Sequence, residues 1–291
     1  MHPVLLEFGP FTVYTYGVLV AVGFLVGLWY AHSHAARASL SPRKVWNLGI
    51  YGILVALAAS KLWLIASDLD FYLANPRQLF SMATFESAGT FYGGVLGGVL
   101  FVILYTHFQK MPLLNVLDLC AAPVALGHAI GRVGCFAAGC CYGKPTSLPW
   151  GVTFTNPVAS RIAGTPLGLP IHPTQLYEAA AEFLNFLLLL WLSSRRRFTG
   201  QLIGAYFMLY GIERGAIEFL RGDPGRGLMF HDTISLMQLV SAGLIVAGAV
   251  LWWRGLRREA HDGHDGRDAN DANNVPHAPS PRAPIDSPSP S

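Results

Sequence analysis

Val124-Ala125-Leu126-Gly127-His128-Ala129-Ile130-Gly131-Arg132-Val133-Gly134-Cys135-Phe136 is the stretch on which the reading of this chain turns. It is a long apolar, glycine-rich run interrupted by one arginine. A guanidinium does not lose its proton. Insertion scales put the cost of such a charge at a bilayer centre at no less than about 2.5–3.5 kcal/mol. At membrane depth Arg132 therefore needs a partner, and an anionic lipid headgroup is one.

The rest of the sequence places the run in a membrane. The 291 residues are 52% hydrophobic and 13% charged, against about 25% charged in soluble domains, and the mean hydropathy is +0.40. A net charge of +3 is too small to argue for nucleic acid. No basic patch interleaved with aromatics is present, so no nucleic-acid partner is expected. Met1–Pro10 lacks a basic leader and a small-residue cleavage site, so the first apolar run is expected to stay as a helix rather than leave as a signal peptide.

Seven apolar stretches are long enough for a core of about 30 Å. They are Val13–Ala31, Val45–Ser67, Thr90–His107, Leu114–Phe136, Gln175–Leu192, Gln201–Leu220 and Asp232–Trp253. With the N-terminus outside, inner loops and the start of the tail hold ten Lys/Arg, Arg37 to Arg258, against five outside, namely Arg77, Lys144, Arg161, Arg221 and Arg226. That bias favours N-out, C-in. Lys61, Arg132 and Arg214 remain inside spans. The fold expected is an all-α integral membrane protein of about seven transmembrane helices, with an outer, periplasmic loop region between spans four and five. Residues 1–258 form the polytopic domain. Residues 259–291, rich in Asp, Asn, Gly, Pro and Ser, read as a disordered cytoplasmic tail. His261, His264 and His277 in that tail are irregularly spaced, and a solvated tail is the reading preferred to a metal site.

Four segments carry polar chemistry. Arg214, Glu218 and Arg221 follow i, i+4, i+7 spacing and share a helix face. Such a stripe is either a structural salt bridge or an anion site. Arg132 adds a third cation with no acid close in sequence, leaving positive charge that a phosphate would meet through bidentate guanidinium donors. In Phe91–Gly98 the Gly93-Gly94-x-x-Gly97-Gly98 pattern either lets helices approach or exposes backbone to a ligand beside Tyr92. His172-Pro173 is expected to begin the fifth helix with Pro173 at its first position, putting Gln175 and Glu178 near an outer helix N-terminus. Cys135, Cys140 and Cys141 read first as small apolar packing, with a disulfide or a metal site as other readings. Cys135-x4-Cys140-Cys141 is not a standard zinc spacing, and neither a metal nor a cofactor is expected.

Together, Gly131-Arg132-x-Gly134-x-Phe136 with Gly143-Lys144-Pro145-Thr146, then His172-Pro173-Thr174-Gln175-Leu176-Tyr177-Glu178, then Arg214 to Arg221, resemble the prolipoprotein diacylglyceryl transferases of bacterial inner membranes. Tyr16-Gly17 also matches, and the resemblance spans nearly all of Pro3–Arg254. It implies a multi-pass inner-membrane enzyme that moves a diacylglyceryl group from phosphatidylglycerol to the lipobox cysteine of preprolipoproteins, releasing glycerol phosphate. It implies phosphate stabilisation by Arg132 and Arg214. Phosphatidylglycerol contacts are implied from Arg132, Tyr16, Gly93, Gly94, His172, Gln175, Glu178, Glu218 and Arg221. Where family members carry His-Gly-Gly this chain has Tyr92-Gly93-Gly94. The usual Asn and Glu of the signature are Cys135 and Cys140. Tyr92 and Cys140 are the catalytic candidates for activating the thiol, with Cys140 as a thiolate near arginines and His172 or Glu178 as substitutes. A divergent enzyme using another thiol or lipid acceptor, and a non-catalytic lipid-binding or transport protein with arginines along its path, are the other readings.

Overall fold

A computed structural model of the chain describes residues 2–9, 11–81, 84, 89–223, 228–229 and 234–273. A short hairpin, β1 (Val4–Phe8) and β2 (Phe11–Tyr14), precedes α1 (Thr15–His34). Then come α2 (Pro42–Ser67), the short α3 (Leu69–Ala74), α4 (Phe91–Phe108) and α5 (Leu113–Ala138). A compact insertion follows, holding β3 (Val152–Thr153), α6 (Pro157–Ala163) and β4 (Pro170–Ile171). The chain continues with α7 (Thr174–Ser193), α8 (Gln201–Glu218), the two-residue strands β5 (Leu228–Met229) and β6 (Ile234–Ser235), and α9 (Leu236–Asn273).

Each expected span coincides with a helix. Five of them, α1, α2, α5, α7 and the Leu236–Ala260 part of α9, are long and apolar enough to cross a membrane, and Tyr92–Phe108 is a shorter apolar helix. The last helix continues past residue 259 to Asn273, while residues 274–291 and the expected span start at Asp232 lie outside the described residues.

The packing is inverted relative to a water-soluble protein. Large apolar side chains face outward, among them Leu25, Trp29, Leu62 and Val246. Gln175 and Glu182 are 0% exposed and Glu178 is 2% exposed. Lipid tails are as apolar as leucine, so helices associate by close packing and interhelical polar contacts rather than by hiding apolar area. Close packing is visible where α1 crosses α5: a Cβ on Gly23 would stand 2.7 Å from the Gly127 carbonyl oxygen. The glycines of α4 do the same work against α2. A Cβ on Gly93 would meet Trp63 and Ala59, and one on Gly97 would meet Ala59. Packing is thus what the structure shows for that glycine pattern.

Polar ties fix the helix ends. Asp118 on α5 accepts from the backbone N–H groups of Gly200 at 2.7 Å and Ile203 at 2.9 Å, at the start of α8. A buried carboxylate there matches the positive end of the helix, and Arg196 pairs with it at 3.2 Å. At the opposite end, α5 stops at Gly139, whose φ of +85 carries the chain into the left-handed turn usual after a helix.

The insertion between α5 and α7 has its own small core of Tyr142, Phe154, Ala159 and Ile171. It is tied down on both sides. Lys144 N–H donates to Leu220 O at 2.8 Å, and Gly222 N–H to Tyr142 O at 3.0 Å. These bonds bring the ends of α5 and α8 together, and Gly143 N–H donating to His172 O at 3.1 Å adds the segment that enters α7.

Candidate functional site

Three helices supply the site because each places polar residues on one face. On α5, His128 and Arg132 are one turn apart, followed by Cys135. On α7, Gln175, Glu178, Glu182 and Asn185 recur at three- and four-residue steps, and all four are buried. On α8 the matching row is Tyr206, Tyr210 and Arg214.

The rows meet at Glu178. Arg132 Nη2 donates to Glu178 Oε1 in a short charge-assisted bond. Arg214 Nε lies 4.0 Å from the same oxygen, and His128 Nε2 lies 3.7 Å from it. Behind this centre, His128 Nδ1 is 2.8 Å from Glu182 Oε1, and its Nε2 accepts from Arg132 Nε at 3.3 Å. The imidazole is therefore held in one orientation and one tautomer by its two neighbours. Tyr206 donates its hydroxyl to Glu182 Oε1 at 3.3 Å, and Asn185 Nδ2 to Glu213 Oε2 at 2.7 Å. Arg214 Nη1 donates to Glu218 Oε2 at 2.7 Å.

The excess positive charge expected from the sequence is absent here. Arg132 is met by Glu178, and Arg214 by Glu178 and Glu218. Sequence spacing hid this balance because Glu178 and Glu182 lie on α7, far along the chain from Arg132. The i, i+4 recurrence of Glu178 and Glu182 in an apolar helix was the signal for it. Each arginine still keeps donors to spare. A guanidinium has five N–H groups. Among the described residues Arg132 Nη1 has only Cys135 Sγ, at 4.0 Å, and Arg214 Nη2 makes no hydrogen bond.

Other expected residues divide into those at this centre and those elsewhere. Tyr16 stands at its edge: a Cβ on Gly134 would lie 3.4 Å from Tyr16 Cα. Gln175 Nε2 donates to Cys140 O at 2.7 Å and Thr174 Oγ1 to Cys141 O at 2.8 Å, so they hold the chain leaving α5. His172 Nδ1 lies 3.3 Å from the Tyr177 hydroxyl in the insertion. Pro173 sits at the cap of α7 rather than at its first helical position, because the helix begins at Thr174. Glu178 is correspondingly a buried ion-pair partner, not a capping residue. Arg221 is not on the Arg214–Glu218 stripe: α8 ends at Glu218, and Arg221 pairs instead with both carboxylate oxygens of Asp223. Tyr92, Gly93 and Gly94 sit on α4, where the glycines meet α2.

Cys135, Cys140 and Cys141 come together just beyond Arg132, with all three Sγ atoms within 4.8 Å of one another. Cys140 was expected to carry a thiolate, but hydrogen bonding to its two neighbours pushes its thiol up. Charge is favoured instead on Cys141, held below the ordinary thiol value by hydrogen bonds from Cys135 and Cys140 and by the nearby Arg132 and Arg221.

The sequence matches the family model described as prolipoprotein diacylglyceryl transferase over residues 3–254. Among curated relatives, a phosphatidylglycerol–prolipoprotein diacylglyceryl transferase of Clostridium tetani is 36% identical, covering 85% of this chain and 95% of the relative. One of Nitratidesulfovibrio vulgaris is 34% identical, covering 87% and 93%. One of Finegoldia magna is 30% identical, covering 81% and 88%.

Proposed function

The chain belongs to the prolipoprotein diacylglyceryl transferase family, and from that premise we propose how its buried arginines serve the reaction. The protein is a transferase of lipoprotein biosynthesis that takes the diacylglyceryl group of phosphatidylglycerol to a prolipoprotein. The acceptor in this reading is the lipobox cysteine thiol. A carbon–sulfur bond forms at the glyceryl carbon, the carbon–oxygen bond to phosphate breaks, and glycerol phosphate leaves. The thiol proton passes to a base in the site.

The observation that carries the reading is the approach of two guanidiniums, from α5 and α8, to one Glu178 oxygen. A phosphate entering between them takes up the uncommitted N–H donors of Arg132 and Arg214 and shares the guanidiniums with Glu178 and Glu218. Donors fixed in place before the reaction are the arrangement that best stabilises charge on a leaving group. Tyr16, at the lipid-facing edge, contacts the acyl-bearing end of phosphatidylglycerol. Gln175, His172 and Arg221 act through the insertion they anchor, and Gly93 and Gly94 through the α2–α4 contact.

For the thiol proton the geometry favours His128. Its Nδ1 rests on Glu182, and Nε2 is freed for a proton when the phosphate draws the Arg132 guanidinium off it. The imidazolium then faces Glu178 at Nε2 and Glu182 at Nδ1. Tyr92 and Cys140 are the competing acceptors. The bundle in this reading has seven spans, N-out and C-in, in the bacterial inner membrane, with the insertion on the outer side where lipoprotein signal peptides emerge.

The test is expression in a strain depleted of its own diacylglyceryl transferase, following lipid attachment to a test lipoprotein by mass. Restored modification is expected, and its absence with the protein present in the membrane would sink the reading. His128→Gln is expected to abolish modification while Tyr92→Phe and Cys140→Ser stay within a few-fold of the parent. The reverse pattern removes His128 as acceptor.

A further inference from the structure

With His128 as the proton acceptor, the reaction leaves the thiol cluster at the end of α5 unused, and the construction of that cluster is specific. Four observations bear on it. First, Cys135, Cys140 and Cys141 Sγ atoms lie within 4.8 Å of one another. Second, two of them are adjacent in sequence. Neighbouring side chains on an extended chain point to opposite sides, yet these converge. The turn responsible is Cys141 itself, at φ +59, a left-handed conformation that costs a non-glycine residue about 1–2 kcal/mol.

Third, that turn is pinned from α7, since Gln175 and Thr174 hold the carbonyls of Cys140 and Cys141. Fourth, cations flank the thiols. Arg132 Nη1 is 4.0 Å from Cys135 Sγ, and Arg221 is near enough to favour charge on Cys141.

We propose that Cys135, Cys140 and Cys141 form a three-thiolate site for a soft monovalent metal ion, Cu(I). Soft thiolate ligands select Cu(I), zinc and iron–sulfur clusters. Structural zinc takes four protein ligands. Among the described residues the group contains three ligands and no fourth. His128, the nearest imidazole on α5, has both ring nitrogens engaged, by Arg132 and Glu182. A trigonal site with metal–sulfur bonds of about 2.3 Å needs sulfurs roughly 4 Å apart, so the three converge further by small side-chain rotations. Binding forms three sulfur–metal bonds, and each thiol that ligates loses its proton to solvent. Copper enters and stays as Cu(I), with no electron transferred. The thiolate charge in excess of the metal faces Arg132 Nη1 and the nearby Arg221, whose other donors already hold Glu178 and Asp223.

The experiment uses the purified, fully reduced full-length chain in detergent, titrated anaerobically with Cu(I) against bathocuproine disulfonate. One Cu(I) per chain is expected, with a thiolate-to-copper absorption band and three sulfur neighbours by X-ray absorption. Cys135→Ser, Cys140→Ser and Cys141→Ser each weaken binding at least tenfold, whereas Cys120→Ser leaves it unchanged. No copper uptake by the reduced parent overturns the site, as does unchanged uptake by Cys140→Ser and Cys141→Ser. Equal affinity for Zn(II) overturns the monovalent assignment. Where the serine variants lose the folded state, the sulfur count in the parent decides, and fewer than three sulfurs overturns the proposal.

Discussion

At the residue scale the chemistry rests on Glu178, one carboxylate serving two arginines and a histidine. Its removal would leave Arg132 buried with an uncompensated charge, while Arg214 keeps Glu218, and such a charge costs about 3–5 kcal/mol. Activity loss in Glu178→Ala would therefore confound folding with function. Arg132→Lys separates them. The charge stays, so Glu178 keeps a partner, but the planar fork that grips a phosphate is lost. Modification of a test lipoprotein should fall by about 10²–10³, the cost of one oxyanion donor, while membrane abundance and thermal midpoint hold. Retained activity in Arg132→Lys would show that charge alone suffices. Glu182→Gln is milder: it weakens the bond that orients His128, and a rate loss of about tenfold matches one charged hydrogen bond worth about 1.5 kcal/mol. A Glu182→Gln enzyme as fast as the parent would remove Glu182 from the positioning of His128.

Elements explain both what the sequence revealed and what it concealed. Helices α1, α2, α4, α5, α7, α8 and α9 lie where the apolar runs put them, because a bilayer imposes length and composition on each crossing helix separately, and five of the seven are long and apolar enough. The register between helices is a different quantity. Nothing local to Arg132 announces Glu178, since their pairing depends on how α5 docks on α7. Arg221 was misplaced for a local reason, since i+7 spacing continues a helix only if the helix continues, and this one stops at Glu218. The strands of the insertion were invisible because two residues carry no periodicity. Docking itself can be tested. Gly127→Val drives a branched side chain into the α1 crossing, where Gly23 O would stand 3.1 Å from the first added carbon. Overpacking of this kind costs about 1–3 kcal/mol, so a lower thermal midpoint in detergent is expected, and an unchanged midpoint would mean α1 does not sit against α5. Asp118→Ala strips the α8 start of two backbone acceptor contacts. With buried donors left unpaired at about 1–3 kcal/mol each, its loss should exceed that of Gly127→Val.

For the whole molecule, the polar interior and apolar exterior demand a bilayer, and orientation follows from where cations gather. The turn between α7 and α8 carries Arg195, Arg196 and Arg197, and the Trp-rich stretch of α9 is followed by Arg254, Arg257 and Arg258. Arg195 stacks 4.3 Å from the Trp191 ring centroid and Arg257 3.8 Å from that of Trp253. Tryptophan belongs at the headgroup level and positive charge on the cytoplasmic side, so the proposed N-out, C-in orientation puts these pairs at the inner interface. Their neighbours Arg196, Arg197, Arg254 and Arg258 line a cavity of about 710 Å³. The thiol cluster and the insertion lie at the far end of α5, and the proposed N-out, C-in bundle puts them outside. Two reporters read this directly. Green fluorescent protein fused after Asn273 should fluoresce, as it does only in the cytoplasm. Alkaline phosphatase inserted after Ser147 should be active, as it is only outside. Fluorescence lost and phosphatase silent would invert the bundle. The arginine–glutamate cluster would then open toward the cytoplasm, away from emerging prolipoproteins, and the reaction assigned to it would have no acceptor within reach.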